Sequence, residues 1–247
     1  MLDSCQIERY SRQIIVHGFG GAAQERLLAA RLLVAGDGPS LALTLAYLAG
    51  AGVGTLELHA TGLDRDGVEL LGVRIRDLNP DVAVEPMPAP DIGSAPLDGA
   101  LIVVSDRPSL ELTDRLVHSR WPGRGVLAWS GETAGVAVFA GAPPCPLCAV
   151  PALFGGFRPR GRSPADPVAD RRVPEAGVVT ALATTEVLKL LAGIACETPA
   201  FVTNFDGYDT RRHQLETASP SGSCACCHSR YHLGAGLSNR SADPDRG

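Results

Sequence analysis

Three short apolar runs, Arg31-Leu-Leu-Val-Ala35, Thr55-Leu-Glu-Leu-His59 and Ala100-Leu-Ile-Val-Val104, are each bounded by glycine or a turn. Short apolar runs of this length, bounded by turns, are consistent with buried strands of a parallel sheet. Parallel neighbours need a crossover, and the segments between the runs can supply it. Ser40 to Ala51 is apolar on almost all sides, which suits a helix packed on a sheet. Pro108 to Arg120 sets Leu110, Leu112, Leu116 and Val117 near helical spacing among charges. Further strands are expected at Val126 to Trp129 and Val136 to Phe139, and a long helix at Gly177 to Ala192. The alternation predicts an α/β protein with a doubly wound, mostly parallel sheet.

A chain of 247 residues with 45% hydrophobic content can fill one large core. A net charge of −5 leaves no basic footprint for nucleic acid. The longest apolar stretch, Leu41 to Gly54, falls short of the roughly 20 residues that cross a bilayer. The amino terminus has no apolar signal core behind a basic start, so a cytoplasmic protein with no membrane partner is expected. Arg158 to Pro174, with five arginines and four prolines, reads as a mobile surface loop. The polar residues 229–247 read as a disordered tail.

Seven cysteines are an odd number for a disulfide framework, and the chain is larger than the domains that need one. Cys145-Pro-Leu-Cys148 and Cys224-Ala-Cys-Cys227 form two C-x-x-C pairs, whose spacing lets two thiolates of one tight turn reach a common tetrahedral metal. A structural Zn²⁺ is expected on Cys145, Cys148, Cys224 and Cys227, with Cys226 an alternative to Cys224. Four thiolates leave no open position for water, so this metal would staple the carboxyl-terminal segment to the domain.

Leu32-Leu-Val-Ala-Gly-Asp-Gly38 runs a strand into a glycine turn at a helix start, where backbone N–H groups could meet a nucleotide phosphate. Gly36 and Gly38 are the candidate contacts. The third glycine of the dinucleotide fingerprint is replaced by Leu41, and Pro39 removes one N–H donor. A tight βα turn without a ligand is an equally simple account.

Taken in order, a longer series of residues is more specific. Arg9-Tyr-Ser-Arg-Gln13, Gly18, Gln24-Glu-Arg26, the glycine turn and Ala46-Tyr-Leu-Ala-Gly-Ala-Gly-Val-Gly-Thr-Leu56 are followed by Leu78-Asn-Pro80, Ser105-Asp106 and the two cysteine pairs. The series resembles the E1-like ThiF/MoeB/HesA adenylyltransferases over residues 7 to 228. The resemblance implies a Rossmann-like domain at 31–228 that contains the zinc site, preceded by a helical arm at 1–30. It implies Mg-ATP-dependent adenylation of the carboxyl terminus of a ubiquitin-like sulfur carrier or a peptide precursor. It also implies a homodimer in which Arg9 and Arg12 reach the phosphates of the neighbouring subunit, and it puts the magnesium-binding aspartate at Asp106.

The sequence departs from that pattern at the nucleotide. The family's ribose aspartate and a second acid map onto Ala60 and Gly62, and a following block with an arginine, a glutamine and a lysine that serve ATP is missing. Arg65, Arg74 and Arg76 are the candidates to replace the lost arginine. Lys189, the only lysine, falls in the later helix. Each charge-assisted contact contributes on the order of 1.5 to 3 kcal/mol, so reduced or lost turnover is expected, and a non-catalytic docking partner is the alternative. Cys5 and Cys196 are expected to be incidental thiols and His59 a satisfied histidine.

Overall fold

The computed structural model describes residues 1–87, 100–105, 123–130, 134–141, 144–146, 149, 172–194, 200–206 and 209–215. The expected helix at 108–120 and the tail at 229–247 lie outside these residues, as do Cys148, Cys196, Cys224, Cys226, Cys227 and Asp106.

Helix α1 (Ser4–Ile14) opens on a capping box. The Asp3 carboxylate accepts the Gln6 N–H at 2.8 Å, and the Gln6 side chain accepts the Asp3 N–H. Helix α2 (Gly20–Ala29) follows, then β1 (Arg31–Gly36), α3 (Gly38–Ala51), β2 (Thr55–Ala60), α4 (Arg65–Leu78), β3 (Ala83–Pro86), β4 (Ala100–Ser105), β5 (Arg124–Ser130), β6 (Ala134–Ala140), α5 (Arg172–Ala192), β7 (Ala200–Asp206) and β8 (Asp209–Gln214). The strands form one eight-stranded sheet in the order β3-β2-β1-β4-β5-β6-β7-β8. β1 to β5 pair in parallel, and β6, β7 and β8 are added antiparallel. The doubly wound, mostly parallel sheet expected from the sequence is present.

One core cluster lies under one face of the sheet. Leu32, Val34, Leu56, Leu58, Ile102, Val104, Val126 and Val138 meet Leu41, Leu45 and Leu48 of α3 and Val179, Ala183 and Val187 of α5. α5 starts at Arg172, so the last three residues of the expected loop at 158–174 are helical. Pro174 does not prevent this, because a first-turn residue has no intrahelical acceptor for its N–H in any case.

Three amide side chains close the end of α3. A helix leaves its last carbonyls without internal partners. Here Asn79 Nδ2 donates to the Ala49 carbonyl at 2.7 Å, Gln13 Nε2 to that of Gly50 at 3.3 Å and Gln24 Nε2 to that of Ala51 at 3.0 Å. Gly52 then turns the chain with φ 83, and a Cβ there would come within 2.7 Å of the Tyr10 ring. The Tyr10 hydroxyl accepts from Asn79 at 2.8 Å and donates to Asp81 at 2.9 Å, and Asp81 also pairs with Arg9. Burial, ahead of its hydrogen bonds, raises the Tyr10 pKa above its ordinary value. On the same end of the sheet, Arg31 bridges Glu57 and Glu85 at 2.6 Å each across β1, β2 and β3.

Candidate functional site

The order of strands reverses at β1, with β2 and β3 on one side and β4 on the other. In open α/β sheets a ligand sits beyond the carboxyl ends of strands at such a point. Gly36 ends β1 there, and a Cβ on it would collide with the Val104 carbonyl of β4. The Asp37 N–H donates to that carbonyl at 3.2 Å, and Thr61 N–H donates to the Gly36 carbonyl at 2.8 Å. Gly36 is therefore required by the close approach of two strands, whatever the turn binds. Gly38, with φ 68, takes the left-handed conformation that opens α3.

A cavity of about 420 Å³ opens beside this turn. Asp37, Gly38, Leu41 and Ala42 form its wall on the α3 side, and Thr61, Gly62 and Leu63 its rim after β2. Gly67, Leu70, Leu71 and Arg74 of α4 close it. Those four stand at i, i+3, i+4 and i+7, one face of a helix. α4 is placed by Asp64, whose side chain accepts the Gly67 N–H at 2.9 Å as an N-cap. Leu63 also lines a second cavity of about 610 Å³, between the ends of β2 and β3 and the start of α4. His59 lines it with Nδ1 3.2 Å from the Met87 carbonyl, so this histidine has a partner, as expected.

Of the sequence candidates, Gly36 and Gly38 lie at the cavity's edge, although only Gly38 is a lining residue. Ala60 and Gly62 end β2 and begin its turn, so no carboxylate stands at either position. Asp37, which sequence reasoning did not single out, brings a carboxylate to the glycine turn itself. Arg65 pairs with Glu69 at 3.0 Å and borders the second cavity, Arg76 lines neither, and Arg74 lines the first. Arg9 and Arg12 lie elsewhere. Arg9 is bound to Asp81 near the end of α3, and Arg12 is exposed on the last turn of α1. The 14 residues of α3 separate that end from Gly38 by about 20 Å at 1.5 Å per residue.

Cys145 is buried, and its carbonyl accepts the Ala149 N–H at 3.1 Å. Among the described residues there is no group of three metal-ligating side chains, and three of the four expected zinc ligands are outside them. Among the described residues no helix is long and apolar enough to cross a membrane.

An α/β sheet wound both ways from a glycine turn and continued by three antiparallel strands is a Rossmann-like fold. The "SAMP-activating enzyme E1" of Haloferax volcanii is 38% identical over 105 residues, 36% of this chain and 39% of that protein. The chain thus matches only about two fifths of that relative's length. The "Sulfur carrier protein ThiS adenylyltransferase" of Escherichia coli is 29% identical over 244 residues, 89% of this chain and 94% of that protein. Among solved structures, E. coli MccB with ATP superposes with a TM-score of 0.60 at 16% identity, covering 91% of this chain and 75% of that one. That likeness speaks for the fold alone. No family model matches the chain. Judged by these relatives, the chain is similar to the E1-like ThiF/MoeB/HesA adenylyltransferases.

Proposed function

We propose that this protein adenylates, from Mg-ATP, the carboxyl terminus of a ubiquitin-like sulfur carrier or a peptide precursor, at a rate lowered by lost nucleotide contacts. The observation that carries the reading is the 420 Å³ cavity at the glycine turn, on the side of the sheet where the fold places ligands. The relatives named as adenylyltransferases support it. Gly36 and Gly38 would flank the phosphates, and Asp106 would hold magnesium. Arg9 and Arg12 would act on the neighbouring subunit of a homodimer. In support of that last assignment, Arg9 sits about 20 Å from its own chain's turn at the helical rise of 1.5 Å per residue, too far for one side chain to span. Zinc would be held by Cys145, Cys148, Cys224 and Cys227 as a structural staple, and metal analysis of the purified protein should return one zinc per chain.

ATP–pyrophosphate exchange with candidate carriers tests the activity. Exchange that is abolished in Asp106→Ala supports the enzyme; no exchange from folded, zinc-loaded protein removes it. A second reading, a non-catalytic partner that docks the same carboxyl-terminal tail, is favoured by the carboxylate of Asp37 in the turn and by the missing acids at Ala60 and Gly62. It requires binding of the tail without exchange.

A further inference from the structure

We infer that Arg74 is the residue that binds the anionic group of the ligand in the glycine-turn cavity, which rests on the nucleotide reading above only for the identity of that ligand. Arg74 is the one cationic side chain among the described lining residues, and it pairs with no carboxylate among the described residues. Its position follows from helical phase. Gly67, Leu70 and Leu71 precede it on the same face of α4, and that face closes the cavity.

The direction of the side chain matters as well. Side chains on a helix lean toward its amino terminus, and α4 starts at the carboxyl ends of the strands, where the glycine turn lies. A long arginine on the third turn therefore extends back toward the turn. Arg76 is about 200° further round the helix and faces away. Arg65 is held by Glu69 on the first turn.

The rest of the lining makes a cation here consequential. Leu41, Ala42, Leu63, Leu70 and Leu71 offer an anion nothing, Thr61 offers one neutral hydroxyl, and the Asp37 carboxylate is of like charge. Pro39 gives the first turn of α3 one N–H fewer. An anionic group beside the glycine turn is therefore met from the α4 side by Arg74, which can offer two parallel N–H donors.

Calorimetric titration of the full chain with Mg-ATP and, separately, with inorganic pyrophosphate tests this. Arg74→Ala should weaken binding roughly ten- to a hundredfold, the size of one charge-assisted contact. Arg74→Lys should recover part of the loss, and Arg76→Ala should titrate like the wild type. Circular dichroism should be unchanged in all three, since both arginines are exposed. Pyrophosphate binding that needs Arg74, without any Mg-ATP binding, would uphold the inference and remove the adenylation reading. Binding of either ligand that is indifferent to Arg74→Ala, or no binding of either, would overturn the inference.

Discussion

The two ends of the sheet are built differently. At the amino-terminal end, where β1, β2 and β3 begin, polar side chains are bound to one another and to backbone: Arg9, Tyr10, Asn79 and Asp81 form one set, Arg31, Glu57 and Glu85 another, and Gln13 and Gln24 complete the end of α3. At the carboxyl-terminal end, the glycine turn borders a cavity walled mainly by leucine, alanine and glycine, with Asp37 and Arg74 as its charged groups among the described residues. Much of the series that carries the family resemblance, namely Arg9 to Gln13, Gln24, Gly52 to Gly54 and Asn79, belongs to the first end. A chain can thus be recognised by the parts that hold α3 in place while the parts that would hold a nucleotide have changed.

The contrast can be broken most forcefully at its glycines. A Cβ on Gly54 would collide with the Leu28 carbonyl, whereas one on Gly62 meets nothing within 4 Å. Gly54→Ala should lose about 3 kcal/mol or more in urea unfolding, because backbone must move. Gly62→Ala, strained only by its φ of 88, should lose about 1 kcal/mol. Comparable losses at the two positions would show that the ends are equally constrained.

Next in size is Asn79→Ala. Asn79 is 2% exposed and joins Tyr10, Ala49 and Asp81, so its removal strands several buried groups and should cost about 2 to 4 kcal/mol. Thermal unfolding measured beside Asp64→Ala, an exposed cap expected to cost about 1 kcal/mol, would rank the two ends directly.

Tyr10 gives the comparison a pH axis. Its pKa is raised in the folded state, chiefly by burial, so the folded protein holds the phenolic proton more tightly than the unfolded chain does. That contribution is whole below the unfolded pKa of about 10 and is lost as pH rises through the folded value. As pH rises above about 10, stability should fall less steeply in Tyr10→Phe than in the wild type. Identical slopes would mean that another group governs alkaline unfolding.

The smallest effect belongs to the turn. Asp37→Asn removes a negative charge from the cavity and should tighten Mg-ATP binding about two- to fivefold, less than 1 kcal/mol. Weaker binding would instead give the carboxylate a positive role at the ligand.

What was legible in the sequence follows the same division. β1, β4, β5, β6 and α3 are legible because each is apolar at consecutive positions and buried, and β2 because Leu56 and Leu58 stand in a short run between glycines. β3 and β8 are not, since they are edge strands whose residues are largely exposed, those of β8 polar as well, as in Thr210-Arg-Arg-His-Gln214. α4 was missed although its spacing is regular, because two glycines interrupt a short apolar stripe. The glycine turn is plain in the sequence, whereas Arg65, Arg74 and Arg76 are told apart only by the phase of α4. Nothing local in Gln13, Gln24 or Asn79 announces that all three meet one helix end. Such convergence is a property of the folded chain and not of any window of it.

That convergence constrains how the protein is made. The carbonyls of Ala49, Gly50 and Ala51 take their side-chain partners from positions 79, 13 and 24, respectively. During synthesis the amino-terminal arm can dock as soon as α3 emerges, but the helix end stays incomplete until Asn79 has left the ribosome. A nascent fragment released before that residue should remain open to proteases at the end of α3, and one released just after β3 should be the shortest piece able to close it.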